Sequence, residues 1–197
     1  KAFHAVETRA IGGLPMSFDL SPAVSFDLAR GSVSAMGSER TVLVPVDALF
    51  DLISAVDSEV AESVAKGIGQ AMGERLAREL GGVEGVRKAA LDAVINAIAL
   101  EFSVAGLGAF GIERWGRAMV LVVEHAPRLG GAFLVKVLEG TLEAATQTRV
   151  SCTLLAADPV QRILVASHSA IERVRGFIGE GVPWADALSR LQAKVGA

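Results

Sequence analysis

The sequence predicts an α+β fold, with helices packed on a small antiparallel sheet made of two hairpins. Three observations carry this. Arg149–Ser167 reads RVSCTLLAADPVQRILVAS, in which the β-rich runs Val150–Leu155 and Arg162–Val165 flank Ala157-Asp158-Pro159. Asp bonds the backbone ahead of it and Pro presets φ, so the segment turns back on itself. Gly106–Arg114 and Arg117–His125 form a second pair around Trp115-Gly116, and the AMVLVV run within it is strongly strand-like. Around both pairs lie helical stretches that stop at Gly or Pro.

Residues 1–39 differ from the rest. They carry SFDL twice, at Ser17–Leu20 and Ser25–Leu28, with Pro15, Pro22 and several Gly and Ser. They read as an extended arm or a pair of short strands. Two four-residue copies fall short of a repeat architecture. The globular body spans residues 40–197. Thr41–Val46 is a β-type run ended by Pro45, and Asp47–Ala55 is a short helix. Asp57 or Ser58 caps the next helix, with Glu59 and Glu62 near its positive end. That helix runs to Leu80 and stops at Gly81-Gly82. Val86, Ala90, Val94, Ala97, Ile98 and Phe102 place one further helix over Val86–Phe102. After the first hairpin, Pro127 blocks continuation and Leu129–Thr146 is helical. After the second, Ser169–Ile178 is a helix, Gly179–Gly181 a break, and Pro183–Val195 a last helix with Pro at its first position.

The chain has 197 residues, 51% of them hydrophobic, and its mean hydropathy is +0.45. That is high for a monomer and predicts apolar surface covered by another subunit, a partner or a lipid-like ligand. The net charge is −3, with 19 basic and 22 acidic residues well mixed, so no basic face for nucleic acid is expected. A single cysteine, Cys152, excludes an internal disulfide and suits a reducing, cytoplasmic setting. With three scattered histidines it makes a Cys/His metal site unexpected. The start, KAFHAVETRA, reads as a trimmed or processed chain and not as a signal peptide. Ala93–Ile112 is nominally long enough to span a bilayer, but Glu101 near its middle argues for a buried helix running into a buried strand.

Several features invite a functional reading. Gly67, Gly69 and Gly73 fit neither the P-loop nor the Rossmann fingerprint. Ala61, Ala65, Gly69, Gly73 and Ala77 instead recur every four residues, forming a small-residue ridge for helix packing or dimer contact. Gly106, Gly108 and Gly111 read as a helix-to-strand connection, with a ligand against the backbone as the alternative. His125 and His168 read as surface or capping residues, and no nucleophile-elbow pattern surrounds Ser167-His168-Ser169. Cys152 is a small buried hydrophobe or, alternatively, a thiol facing an apolar channel. Arg149 falls on the opposite face of the strand from it. Arg162, Arg173 and Arg175, near Glu172 and Glu180, read as a solvated mixed-charge surface.

Gly67–Val165 resembles the 4-vinyl reductase domain family, relatives of the small subunits of TRAPP vesicle-tethering complexes. GIGQAMGERLAREL (Gly67–Leu80) is similar to the family's glycine-spaced helix. GLGAFGIERWGRAMVLVVEHAP (Gly106–Pro127) is similar to its first hairpin, which a small-residue helix, Gly131–Ala145, follows. Ala157-Asp158-Pro159-Val160-Gln161-Arg162-Ile163 resembles the Gly-Asp-Pro-x-Cys-Arg-Phe closing hairpin. The resemblance implies helices on a small antiparallel sheet, often dimeric, sensing small hydrophobic ligands or serving assembly. Many members carry cysteines in the closing hairpin, suspected of binding metal. Here Thr153 and Gln161 take those positions, and Cys152 is one residue out of register, so no metal or other cofactor is expected.

The sequence thus points to a non-catalytic dimerising module that binds a protein partner or a small hydrophobic ligand in signalling or assembly. No catalytic residues are assigned. The alternative, implied by the family name, is an enzyme or accessory protein acting on a tetrapyrrole-like or other apolar molecule. The expected partners are a second copy of the chain, a protein met through the N-terminal arm, or a small apolar ligand. Phe102, Phe110, Leu121, Phe133, Val137 and Cys152 are the candidate pocket lining, chosen by apolar spacing and strand facing.

Overall fold

The computed structural model describes residues 23–36, 40–116, 118–158 and 160–193. The first SFDL copy, Pro159 of the closing turn, and the last helix beyond residue 193 lie outside these. The second SFDL copy belongs to a hairpin of β1 (Val24–Asp27) and β2 (Ser32–Ala35), paired Val24↔Ala35 to Asp27↔Ser32. Asp27 Oδ1 accepts the backbone N–H groups of Ala29 and Arg30 at 3.0 and 3.1 Å and so closes the turn.

Thr41–Val46 is not a strand, contrary to expectation. Only Thr41 bridges, to Val33, and the run is exposed. High β propensity makes a strand only where a partner strand supplies the ladder, and residues 42–45 belong to none. Helix α1 (Val46–Ala55) follows, then α2 (Ser58–Glu79). Gly81 and Gly82, at φ +85° and +87°, end α2, with the Gly82 N–H donating to the Ala77 carbonyl at 2.6 Å.

The single helix expected over Val86–Phe102 is two: α3 (Val83–Lys88) and α4 (Leu91–Val104), with Ala89 and Ala90 extended between them. Alanine does not itself break a helix. The bend lets Val86 and the row Ile95, Ile98 and Phe102 all enter one core, and that burial outweighs local propensity. The chain then forms β3 (Ala109–Trp115), β4 (Ala118–Glu124), α5 (Gly131–Thr146), β5 (Ser151–Ala156), β6 (Gln161–Ala166), α6 (His168–Gly179) and α7 (Trp184–Ala193). Pro183 precedes α7, accepting the Ala187 N–H at 2.9 Å, instead of occupying its first position.

The main sheet is fully antiparallel, in the order β3-β4-β6-β5, and β5 carries a bulge between Leu154 and Ala156. Its two faces bury separate cores. Leu121, Val123, Cys152 and Ile163 meet α2, α4 and α5; Val120, Leu155 and Leu164 meet Ile171 and Val174 of α6 and Ala187 and Leu188 of α7. Central β4 is buried on both faces, which is why its sequence is a continuous apolar run without alternation.

Helices α2 and α5 cross at backbone contact. A Cβ at Gly69 would overlap the Val137 carbonyl, one at Gly73 the Thr141 carbonyl, and one at Gly140 the Lys66 carbonyl. Ala65 and Ala77 are buried along the same row, and Ala61 is half-buried. The ridge therefore faces α5 of its own chain.

Candidate functional site

A cavity of about 360 Å³ opens beside the N-terminal hairpin, lined by Met36, Arg75, Arg78, Glu79 and Glu101. Met36, at φ +51°, is held by its N–H bond to the Ala23 carbonyl at 2.7 Å. Arg75, Arg78 and Glu79 come from the last turns of α2, and Glu101 from α4. Met72 and Leu76 anchor the apolar side of α2, so Arg75 is carried to the border of the core.

Glu101 is only 1% exposed. Arg75 Nε donates to its Oε1 at 3.0 Å and its Oε2 at 3.2 Å, and Nη2 donates to Oε2 at 2.7 Å. A buried carboxylate needs such a charge-assisted fork to offset lost hydration. A carboxylate has about four acceptor sites; the fork uses both on Oε2 and one on Oε1, which leaves Oε1 able to accept one more. The cavity therefore combines a buried acceptor, a guanidinium, and the aliphatic stems of Arg75, Arg78 and Met36.

The six residues chosen from apolar spacing converge in one core. Phe102, Leu121, Phe133, Val137 and Cys152 are buried, and Phe110 packs against them, its ring centroid 5.0 Å from that of Phe102. They do not line the cavity described above. Spacing identified what is apolar and inward; it had no means of separating packed interior from lining. The cavity residues carried fainter signals. Glu101 stood out as a lone carboxylate in an apolar run, which demands a buried partner. Arg75, Arg78, Glu79 and Met36 had none.

Cys152 is fully buried in the core between the sheet and the helices. Burial, reinforced by the negative charges of Glu139 and Glu143, pushes its thiol up to about 12. Its backbone explains the nearby charges. As β5 is a sheet edge, its outward groups need partners: Cys152 N–H donates to Glu139 Oε1 at 2.9 Å and Val150 N–H to Glu143 Oε1 at 3.3 Å. The Cys152 carbonyl accepts Arg175 Nη2 at 3.3 Å, while Arg175 Nε donates to Thr153 Oγ1 at 3.1 Å. Side chains thus occupy this stretch of edge. Glu139 and Glu143 are in turn paired with Lys136 and Lys66 at 3.1 and 2.7 Å. Burial raises the Glu143 carboxyl, but the bonds from Lys66 and the Val150 N–H, with the charges of Lys66 and Arg149, outweigh it and hold the group below its usual value.

Arg162 and Arg175 are not merely solvated surface, as expected from sequence. Arg162 Nε and Nη2 each donate to Glu113 at 3.0 Å, and Trp115 Nε1 donates to the same carboxylate at 2.9 Å. Glu113 lies on β3 and Arg162 on β6, so the pair reaches across β4. Burial raises the Glu113 carboxyl, yet these bonds and the Arg162 charge leave it below 4.5. Trp184 packs edge-on against Trp115 at 4.7 Å and lies 5.7 Å under the Arg162 guanidinium, which docks α7 on the sheet.

His168 opens α6, and His125 closes β4 at φ +54°. Gly106 and Gly108, at φ +68° and +112°, turn the chain from α4 into β3. Among the described residues no group of three or more His, Cys, Asp or Glu is placed to hold a metal ion, and no helix is long and apolar enough to cross a membrane.

No family model matches the chain, and no curated protein matches its sequence. Solved structures do share its fold. One is the phenol-responsive sensory domain of the transcription activator PoxR, in its structure with phenol. It is 15% identical to this chain, over 74% of this chain and 85% of that one, with a TM-score of 0.51. At that identity the likeness is one of fold.

Proposed function

We propose that this chain is a non-catalytic, ligand-responsive module that acts as a dimer in signalling or assembly. The observation that carries the reading is the Glu101–Arg75 pair at the border of an open cavity. A buried ion pair contributes little net stability, and apolar residues of similar volume serve a core as well or better. Beside a cavity, the same pair gains a use: it fixes an acceptor where a small, mostly apolar ligand can place a hydroxyl. The volume falls within the range of small-molecule sites. The described residues around the cavity offer no nucleophile paired with a base, so the chemistry is recognition and not turnover.

The shared fold with a phenol-responsive sensory domain supports a ligand-responsive role and suggests the size of a probe. The resemblance of Gly67–Val165 to 4-vinyl reductase domains stands beside it as a proposed relationship. In this reading the module works in a reducing, cytoplasmic setting and meets a protein partner through residues 1–39.

The test is calorimetric titration of the full chain with phenol as the probe. Wild type should bind, and Glu101→Gln should bind about 10–100-fold more weakly, the loss of one charge-assisted hydrogen bond. Circular dichroism of the variant checks that it folds. Arg78→Ala, at an exposed wall of the cavity, provides a second perturbation without breaking the buried pair. Absence of heat and of any thermal shift with wild type up to ~10 mM phenol would overturn phenol-like binding, as would unchanged affinity in both variants.

A further inference from the structure

The cavity beside Glu101 has two walls of different make. Arg75, Arg78, Glu79 and Glu101 belong to α2 and α4, whereas Met36 comes from the end of the N-terminal hairpin. That hairpin is a self-contained unit. Its ladder runs from Val24↔Ala35 to Asp27↔Ser32, Asp27 Oδ1 closes its turn, and the Met36 N–H donates back to the Ala23 carbonyl. No residue from 23 to 36 joins either hydrophobic core, and Ala23 is the one buried side chain among them. Thr41, whose N–H donates to the Val33 carbonyl at 2.7 Å, opens a run that is itself exposed over residues 42–46. Segments with so little apolar burial open locally at low free energy. Met36 sits at φ +51°, a left-handed conformation uncommon for residues other than glycine. Residues held this way cluster at ligand clamps and switches.

We propose that the β1–β2 hairpin is a strap over the cavity that closes against a bound ligand through Met36. The strap rests on the ligand site proposed above and is the means by which occupancy of that site is sensed. The helical wall is fixed, because Met72 and Leu76 of α2 and Ile98 and Phe102 of α4 are buried in the main core. The hairpin wall can shift without disturbing either core, so it sets how far the cavity opens. A methionine suits that position: its unbranched, polarisable side chain follows the shape of what it touches. A ligand that touches both walls binds the closed arrangement better than the open one, and that differential contact is what shifts the equilibrium. The coupling is reciprocal. Ligand steadies the hairpin by the same factor by which the hairpin tightens the ligand.

Amide hydrogen exchange of the full chain, with and without saturating phenol, reads the test. Peptides covering residues 24–35 should exchange about 10-fold more slowly with phenol, within the usual span of coupling between two sites. The hairpin exchanges through its own local opening. A ligand that raised global stability alone would slow the core amides and leave these unchanged. Met36→Gly keeps the left-handed bend, which glycine adopts freely, and removes the hairpin's side of the cavity. It should weaken phenol binding by about the same factor as the protection. Its circular dichroism and urea unfolding should match wild type, because Met36 lies outside both cores. Met36→Leu restores an apolar wall and should recover most of the affinity. Phenol that binds wild type without slowing hairpin exchange, or binds Met36→Gly as tightly, would overturn the strap alone. A wild type that does not bind phenol would overturn the ligand site and the strap with it.

Discussion

Cys152 keeps its proton because the thiolate would have to form in an apolar core beside two carboxylates. A folded value near 12 against the usual 9.0 has a defined sign for stability. Below pH 9 both folded and unfolded chains hold the proton, and the group contributes nothing that varies with pH. Between 9.0 and about 12 only the unfolded chain releases it, so stability falls by up to about 1.4 kcal/mol per pH unit. The difference in unfolding free energy between wild type and Cys152→Ala, measured in urea, should be constant below pH 9 and shift steadily against wild type above it. Sequence alone left Cys152 as either a core residue or a channel thiol. The choice depends on Glu139 and Glu143, which reach β5 from α5 to bond backbone groups of the sheet edge, an arrangement no local pattern announces. Glu101 is the converse case. Its oddity was plain in an apolar helix, but its partner lies 26 residues away.

Helix α2 carries three glycines that sit alike in sequence and differ in space. Gly69 and Gly73 touch the backbone of α5, whereas nothing lies within 4 Å of the position a Cβ would take at Gly67. Gly69→Ala should therefore cost about 1–3 kcal/mol through forced separation of α2 and α5. Gly67→Ala should stabilise by up to about 1 kcal/mol through helix propensity alone. Chemical denaturation of the two variants gives opposite signs if the crossing is as close as the structure shows. The four-residue spacing made a packing ridge legible; only the fold chose α5 as its occupant. Element boundaries followed a similar rule. Gly81-Gly82, Gly116 and Gly181 marked real ends because positive φ is a local demand, and all four adopt it. The Ala89-Ala90 bend was silent because its cause is burial on both sides and not a residue that dislikes helix.

The whole molecule is a sheet between two helical layers, and the second layer is α6 and α7. Their shared core with Val120, Leu155 and Leu164 is small and covers the middle of one sheet face. Removing residues 168–197 should expose that face. Dye binding to apolar surface should rise, and the truncated chain should aggregate, while a Leu188→Ala variant should keep its fold and lose about 2–5 kcal/mol. Size exclusion and urea unfolding separate these outcomes. Gln192 Nε2, bonded to the Trp115 carbonyl at 2.6 Å, and the Trp115–Trp184 contact tie this layer to the β3–β4 turn. The high overall apolarity of the chain is thus absorbed largely by two cores, with the remainder concentrated around α1.

The sequence by itself determined the class, the two hairpins, most of the helices and the inward-facing residues, because each follows from side-chain periodicity and turn chemistry within a few positions. Tertiary structure alone decided the strand order β3-β4-β6-β5, the fate of Thr41–Val46, and the pairings Arg75–Glu101 and Glu113–Arg162. The two ion pairs join groups 26 and 49 residues apart, brought together by burial of common apolar surface. A run such as TVLVPV becomes a strand only when another strand lies beside it. A lone glutamate in an apolar helix is buried as a charge only when an arginine from another helix meets it.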